Sequence, residues 1–136
     1  MGSAGRALTV LAIAMSLLVA LSGPALAANL GSSISRGTNI NQGDYLSRQP
    51  INQSYRVQLI MQRDGNLVLK RTTGFVCWAA GTAGRGDHAV YQRDGNFVVV
   101  DRSGAVLWAS GISSGRQVAI TIDGDLMVGF ILIDTC

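Results

Sequence analysis

Glutamate is absent from this chain of 136 residues, histidine occurs once (His88), lysine once (Lys70), and cysteine and proline twice each. Each scarcity removes a class of function. All eight carboxylates are Asp, three of them in matching Asp-Gly pairs, so nothing resembles the asymmetric acid/base pair of a hydrolase. The single His88 is assigned no role. A zinc site needs more ligands than two Cys and one His readily supply, and Asp123-Gly124-Asp125 lacks the spaced carboxylates of a calcium loop. The basic residues are spread from Arg36 to Arg116 with no run longer than Lys70-Arg71, which excludes the clustered stripe of a nucleic-acid binder. The chain is therefore expected to be no enzyme, to carry no cofactor or metal, and to have no nucleic-acid partner.

What is present begins with a leader. Arg6 precedes an uncharged apolar run from Ala7 to Leu21, and Ser22-Gly23-Pro24-Ala25-Leu26-Ala27 follows. A basic flank, an apolar run too short for a comfortable span, a helix-breaking Gly-Pro and small residues at Ala25 and Ala27 make a secretory signal with cleavage after Ala27. A membrane anchor is the lesser reading. Residues 1–27 are thus a signal peptide and 28–136 one small domain, secreted and without membrane contact after cleavage. Loss of Arg6 lowers the formal charge from +3 to +2. In an exported chain the even pair Cys77 and Cys136 favours a disulfide.

Internal repetition organises the domain. Met61-Gln62-Arg63-Asp64-Gly65-Asn66-Leu67-Val68-Leu69 returns 30 residues later as Tyr91-Gln92-Arg93-Asp94-Gly95-Asn96-Phe97-Val98-Val99, and a weaker copy, Ile120 to Val128, follows 29 after that. Trp78-Ala79-Ala80-Gly81 and Trp108-Ala109-Ser110-Gly111 repeat in step. Each copy predicts a hairpin. Tyr55, Val57, Leu59 and Met61 alternate with Arg56, Gln58, Ile60 and Gln62, the period of a strand with one buried face. Asp-Gly follows as a tight-turn signal, because Gly accepts positive φ. No stretch after Ala28 has a helical period. The residues predict an all-β architecture of three similar sheets around one apolar centre, with Trp78 and Trp108 in the core rather than serving as sugar platforms.

These repeats resemble the bulb-type, or monocot mannose-binding type, lectins, whose site pattern is Gln-x-Asp-x-Asn-x-Val-x-Tyr once per sheet. The likeness spans the whole mature chain and includes the repeat period and the Trp-x-x-Gly endings. It implies a β-prism II, three four-stranded antiparallel sheets with pseudo-threefold symmetry, in which Asn41 to Leu46 form opening strands that help complete the last sheet. It also implies carbohydrate-binding residues: Gln62, Asp64, Asn66, Val68 and Lys70 in the first copy, and Gln92, Asp94, Asn96 and Val98 in the second. Alternate residues share a face, so each set would line a shallow groove offering polar contacts and one apolar floor. A mannose-containing or related glycan is the implied partner, and discrimination comes from fixed donors and acceptors that a wrong epimer leaves unpaired.

Every copy departs from the family pattern. The Tyr position is Lys70, Val100 and Gly129, and the third copy also has Thr121, Asp125 and Met127 for Gln, Asn and Val. The first groove ranks above the second, and the third is degenerate, its Asp-Gly serving the turn alone. The alternative function is protein interaction, or bacteriocin-like binding to a cell envelope, on a lectin scaffold with vestigial sugar sites. Cys136 follows Leu107 by 29, as Leu107 follows Cys77 by 30, so the two cysteines fall at equivalent repeat positions. Their bond would close within one chain, or would bridge a homodimer formed by exchange of the C-terminal strand, as family members often do.

Overall fold

The computed structural model describes residues 26–136, so almost all of the leader assigned to 1–27 lies outside them. Among the described residues there are twelve strands and no helix. The three repeats supply β4 (Val57–Met61), β5 (Leu67–Arg71) and β6 (Val76–Ala79); β7 (His88–Tyr91), β8 (Phe97–Val100) and β9 (Val106–Ala109); and β10 (Gln117–Ile120), β11 (Asp125–Val128) and β12 (Ile131–Thr135). Three short strands precede them: β1 (Ser33–Ser35), β2 (Thr38–Asn41) and β3 (Tyr45–Arg48). The sheets run β3-β4-β5-β6, β2-β7-β8-β9 and β1-β10-β11-β12, with every pairing antiparallel. This is the three-sheet prism.

The opening strands are distributed differently from the expectation. Tyr45 and Leu46 pair with Ile60 and Leu59 in the first sheet, Thr38–Asn41 joins the second, and Ser33–Ser35 completes the last. The N-terminal segment therefore visits the sheets in reverse order of the repeats, and each stop is dictated by one apolar side chain. Ile34, Ile40 and Leu46, at most 6% exposed, are what each short strand contributes to the core.

That core is periodic. Leu59, Met61, Leu67 and Leu69 from the first sheet, Ala89, Tyr91, Phe97 and Val99 from the second, and Val118, Ile120, Leu126 and Val128 from the third are all fully buried. The small Ala89 offsets the large Tyr91 and Phe97 of the same sheet, as a close-packed interior requires. Trp78 and Trp108 are only half buried; they pack against this core with ring centroids 5.1 Å apart, edge to face, and Phe97 abuts Trp108 at 6.0 Å. They seal the core's margin rather than occupying its centre.

The disulfide joins Cys77 to Cys136 within the chain, with Cα atoms 5.4 Å apart. The repeat equivalence that suggested it does not hold. Trp78 and Trp108 face Leu69 and Val99, but Val128, the matching residue of the third sheet, faces Ile131, because β11 and β12 are joined by the two residues Gly129 and Phe130 alone. Cys136 thus lies far past the register of Cys77, at the turn, where its N–H donates to Gly124 O. Arg71 braces it by donating twice to Cys136 O, at 2.9 and 2.7 Å, while its guanidinium lies 4.6 Å from the Tyr55 ring centroid. Arg36 ties the β1–β2 turn to Arg93 O and Gly115 O in the same manner.

Two outcomes follow from this packing. Opening the bond with Cys77→Ser frees a loop spanning 59 residues and should cost ~4 kcal/mol on loop entropy; an unchanged midpoint in denaturant would show that the C-terminus is held without it. The Tyr91 hydroxyl is buried with no partner among the described residues, so Tyr91→Phe should be neutral or stabilise by ~1 kcal/mol. A clear loss in thermal unfolding would mean that the hydroxyl has a partner, such as a buried water.

Candidate functional site

Because each sheet turns its apolar face inward, polar recognition is left to the outer face and the turn apices. The β4–β5 connection is the expected hairpin turn. Gly65 N–H donates to Gln62 O at 3.0 Å and Gln62 N–H to Asn66 O at 2.9 Å, so Gln62 to Gly65 form a β-turn and Arg63 to Gly65 the loop. Positive φ falls on Gly65 alone, at +89°. Any Cβ there would stand 2.6 Å from Gly86 O, so the following loop packs directly on the turn.

The side chains of the motif divide between holding the loop and facing outward. Asp64 Oδ1 accepts from Asn66 N–H at 2.9 Å, and Asp94 Oδ1 accepts from Asn96 N–H at the same distance. Each carboxylate remains exposed, and a single bond leaves most of its acceptor capacity unspent. Asn66 Oδ1 accepts from Thr82 N–H at 3.1 Å; Asn96 Oδ1 accepts from Gly111 N–H and the Ser110 hydroxyl, both at 3.0 Å. The amide plane of each Asn is thereby fixed. The segments after Trp78 and Trp108, read from the sequence as plain connections, are the braces. Thr82 is buried and also donates its hydroxyl to Gly65 O at 2.7 Å.

Gln62 and Gln92 stand half exposed, and no hydrogen bond engages their side-chain amides among the described residues; the same holds for the Lys70 ammonium. Val68 and Val98 are 3% and 1% exposed, so the apolar floor of each groove is covered and offers a ligand little area. In the register, Val68 lies between Ile60 and Ala79, and Lys70 between Gln58 and Val76. The structure therefore brings Gln62, Asp64, Asn66, Val68 and Lys70 to one hairpin, and Gln92, Asp94, Asn96 and Val98 to a second.

His88, given no role from the sequence, belongs to the second set. It pairs with Val100, the residue at the family's Tyr position, and its Nδ1 lies 2.8 Å from Asp87 Oδ2. That contact holds the ring by Nδ1 and leaves Nε2 as its second polar atom. The repeat interval held the signal, since His88 occupies the place of Gln58 opposite Lys70.

The third copy lacks most side chains of the motif. Thr121 Oγ1 accepts from Asp123 N–H at 3.3 Å and Asp125 N–H at 3.1 Å, taking over the turn-holding work of the Asp carboxylates. Gly129 sits at φ +60° with the Gly115 Cα 3.0 Å from any Cβ, so no larger side chain fits the Tyr position. Among the described residues no three His, Cys, Asp or Glu side chains are grouped to hold a metal ion.

No family model matches the sequence, and no curated protein matches it. Solved structures do. A lectin from Allium sativum is 34% identical over 71% of this chain and 90% of its own, with a TM-score of 0.60. The Polygonatum cyrtonema lectin, solved in complex with monomannoside, is 27% identical over 75% and 92%, with a TM-score of 0.59. The mannose-specific bulb lectin of Scilla campanulata (bluebell) shares the fold at a TM-score of 0.62, with 24% identity over 71% and 88%. With the prism, the repeated turn motif and a third of aligned residues shared with a lectin covered over nine-tenths of its length, this chain belongs to the bulb-type lectin family and is no enzyme.

Proposed function

We propose that the protein is a secreted lectin that binds mannose-containing or related glycans through its first two grooves. One observation carries this reading: the same constellation is built twice, with Asp and Asn fixed by turn and brace while the neighbouring Gln amide has no partner within the described residues. A loop held for its own sake would not need the Gln. In the first groove Lys70 supplies a donor where the family has Tyr; in the second, the His88 ring supplies a polar group beside Val100. Shallow grooves with buried floors give weak single sites, so strong binding would come from two sites engaging one polymer.

Gln62→Ala tests this without touching the fold, since its side chain bonds to nothing in the described residues. Combined with Gln92→Ala, it should weaken binding to mannan about tenfold or more, from the loss of one hydrogen bond per groove, while the melting temperature stays constant. His88→Ala should weaken the second groove alone. Unchanged titrations for all of these would leave the grooves vestigial and favour the interaction-scaffold reading.

Export belongs to the same proposal. The disulfide suits an oxidising compartment, and Ala28 N–H donates to Asp44 Oδ1 at 2.9 Å. Cleavage after Ala27 would therefore place the new terminal ammonium on a waiting carboxylate. A homodimer made at β12 would cover Phe130, Ile131 and Leu132, which are 86%, 50% and 52% exposed. Intact mass and sedimentation of the exported protein check both points: the chain should start at Ala28 and sediment as a dimer. A retained leader would overturn the first and a monomer the second.

A further inference from the structure

Beside the first groove lies a polar cleft of about 400 Å³, lined by Arg63 and Asp64 of the turn, Arg85 and Asp87 of the loop that packs on it, Arg102 of the β8–β9 loop, and Gln42. Its position follows from the packing of Gly65 on Gly86, which folds the 82–87 loop back over the turn, held by Gly84 N–H donating to Asp64 O at 2.6 Å. Three guanidinium groups thereby meet two carboxylates in one concavity that shares Asp64 with the carbohydrate motif.

Six arginines of the described residues divide into two groups. Arg36, Arg48, Arg56 and Arg71 are spent on the fold, donating to Gly115 O, Ile120 O, Ser47 Oγ and Cys136 O. Arg85 and Arg102 are exposed, and no hydrogen bond or ion pair engages their guanidinium groups among the described residues. The carboxylates beside them each hold one neighbour, Asp64 Oδ1 accepting from Asn66 N–H and Asp87 Oδ2 lying 2.8 Å from His88 Nδ1, and among the described residues neither is paired with Arg85 or Arg102. The backbone donors of the loop are also used, since Arg85 N–H and Gly86 N–H both donate to Thr82 O. With three guanidinium groups against two carboxylates, what the cleft offers an anion is its excess of guanidinium charge, arranged as planar forks that match the oxygens of a phosphate or carboxylate.

We propose that Arg85 and Arg102 form a subsite for an anionic substituent, a phosphate or a carboxylate, carried by a glycan whose neutral sugar occupies the first groove. Such a ligand would span the shared Asp64, placing its hydroxyls toward Gln62 and Asn66 and its anion in the cleft. The preference would be for acidic over neutral polysaccharides, and it would weaken as salt screens the exposed charges. The neutral half of this ligand rests on the mannoside reading above; the anion subsite does not.

The test uses the mature protein with three probes, followed by NMR amide shifts and calorimetry. Inorganic phosphate alone should shift the amides of Gly84, Arg85, Gly86, Asp87 and Arg102 in the wild type and not in Arg85→Gln/Arg102→Gln. Mannose 6-phosphate should bind about tenfold more tightly than methyl α-mannoside, from the added charge-assisted hydrogen bonds. That advantage should vanish in the double variant, whose binding of methyl α-mannoside and melting temperature should be unchanged. Mannuronate in the same titration tells whether carboxylate serves as well as phosphate. Phosphate shifts without methyl α-mannoside binding would sink the mannoside reading and leave the subsite standing. Methyl α-mannoside binding with no phosphate shift and no gain from either acidic sugar would overturn the subsite and leave the lectin reading intact.

Discussion

A short antiparallel sheet with one apolar face cannot stand by itself in water, and in this protein each sheet can bury that face only against the other two. The arrangement of strands answers to that need. Three repeat hairpins supply three strands to each sheet, and the missing fourth comes from one N-terminal segment that crosses all three sheets through Ile34, Ile40 and Leu46. The segment binds the repeats together as well as completing them. Arg36, in its first turn, is hydrogen-bonded to backbone of the second and third repeats at once.

Committing every inner face to the core decides where recognition can occur. Outer faces and turn apices remain, and the turn chemistry makes the apices rigid enough to serve. An Asx bond from Asp to the residue two ahead, a Gly at positive φ and an Asn clamped by the following segment leave few soft torsions in the loop. Such a site loses little conformational entropy when a hydroxyl docks, which matters where each groove buries so little. The structural and recognition roles of Asp-Gly-Asn are therefore two uses of one geometry, and only the unengaged Gln distinguishes a groove from a mere turn.

The sequence made the period legible because burial enforces it: alternation around Leu59 and Met61, repeated at Ala89 and Tyr91 and at Val118 and Ile120, has no other physical reading than one-faced strands. The motif residues were legible for the same reason, being fixed relative to the turn. Non-local relations were not. Which sheet each opening strand joins depends on chain reversals that no local pattern encodes, and the residues that clamp Asn66 and Asn96 lie 16 and 15 positions away in segments that look like linkers. His88 was passed over because a lone His in a strand is usually a surface or packed residue, and only the strand register reveals that it stands opposite Val100, where the family's Tyr is missing.

The third repeat shows what happens where the surface is released from this duty. Its inner face keeps the pattern of the other two, since the core would otherwise open. Its outer features are rebuilt around Cys136. In the first repeat the backbone oxygen of Gly65 is capped by the Thr82 hydroxyl; at the matching Gly124 the oxygen accepts from Cys136 N–H. The short Gly129-Phe130 turn lets β12 reach that point, and the disulfide and Arg71 then fasten it to the first sheet. A sugar groove there would require the braced Asn and the longer hairpin that this closure removes. Degeneracy of the third motif is thus the structural counterpart of the anchorage of Cys136: where the first two repeats hold an Asn ready, the third holds Cys136.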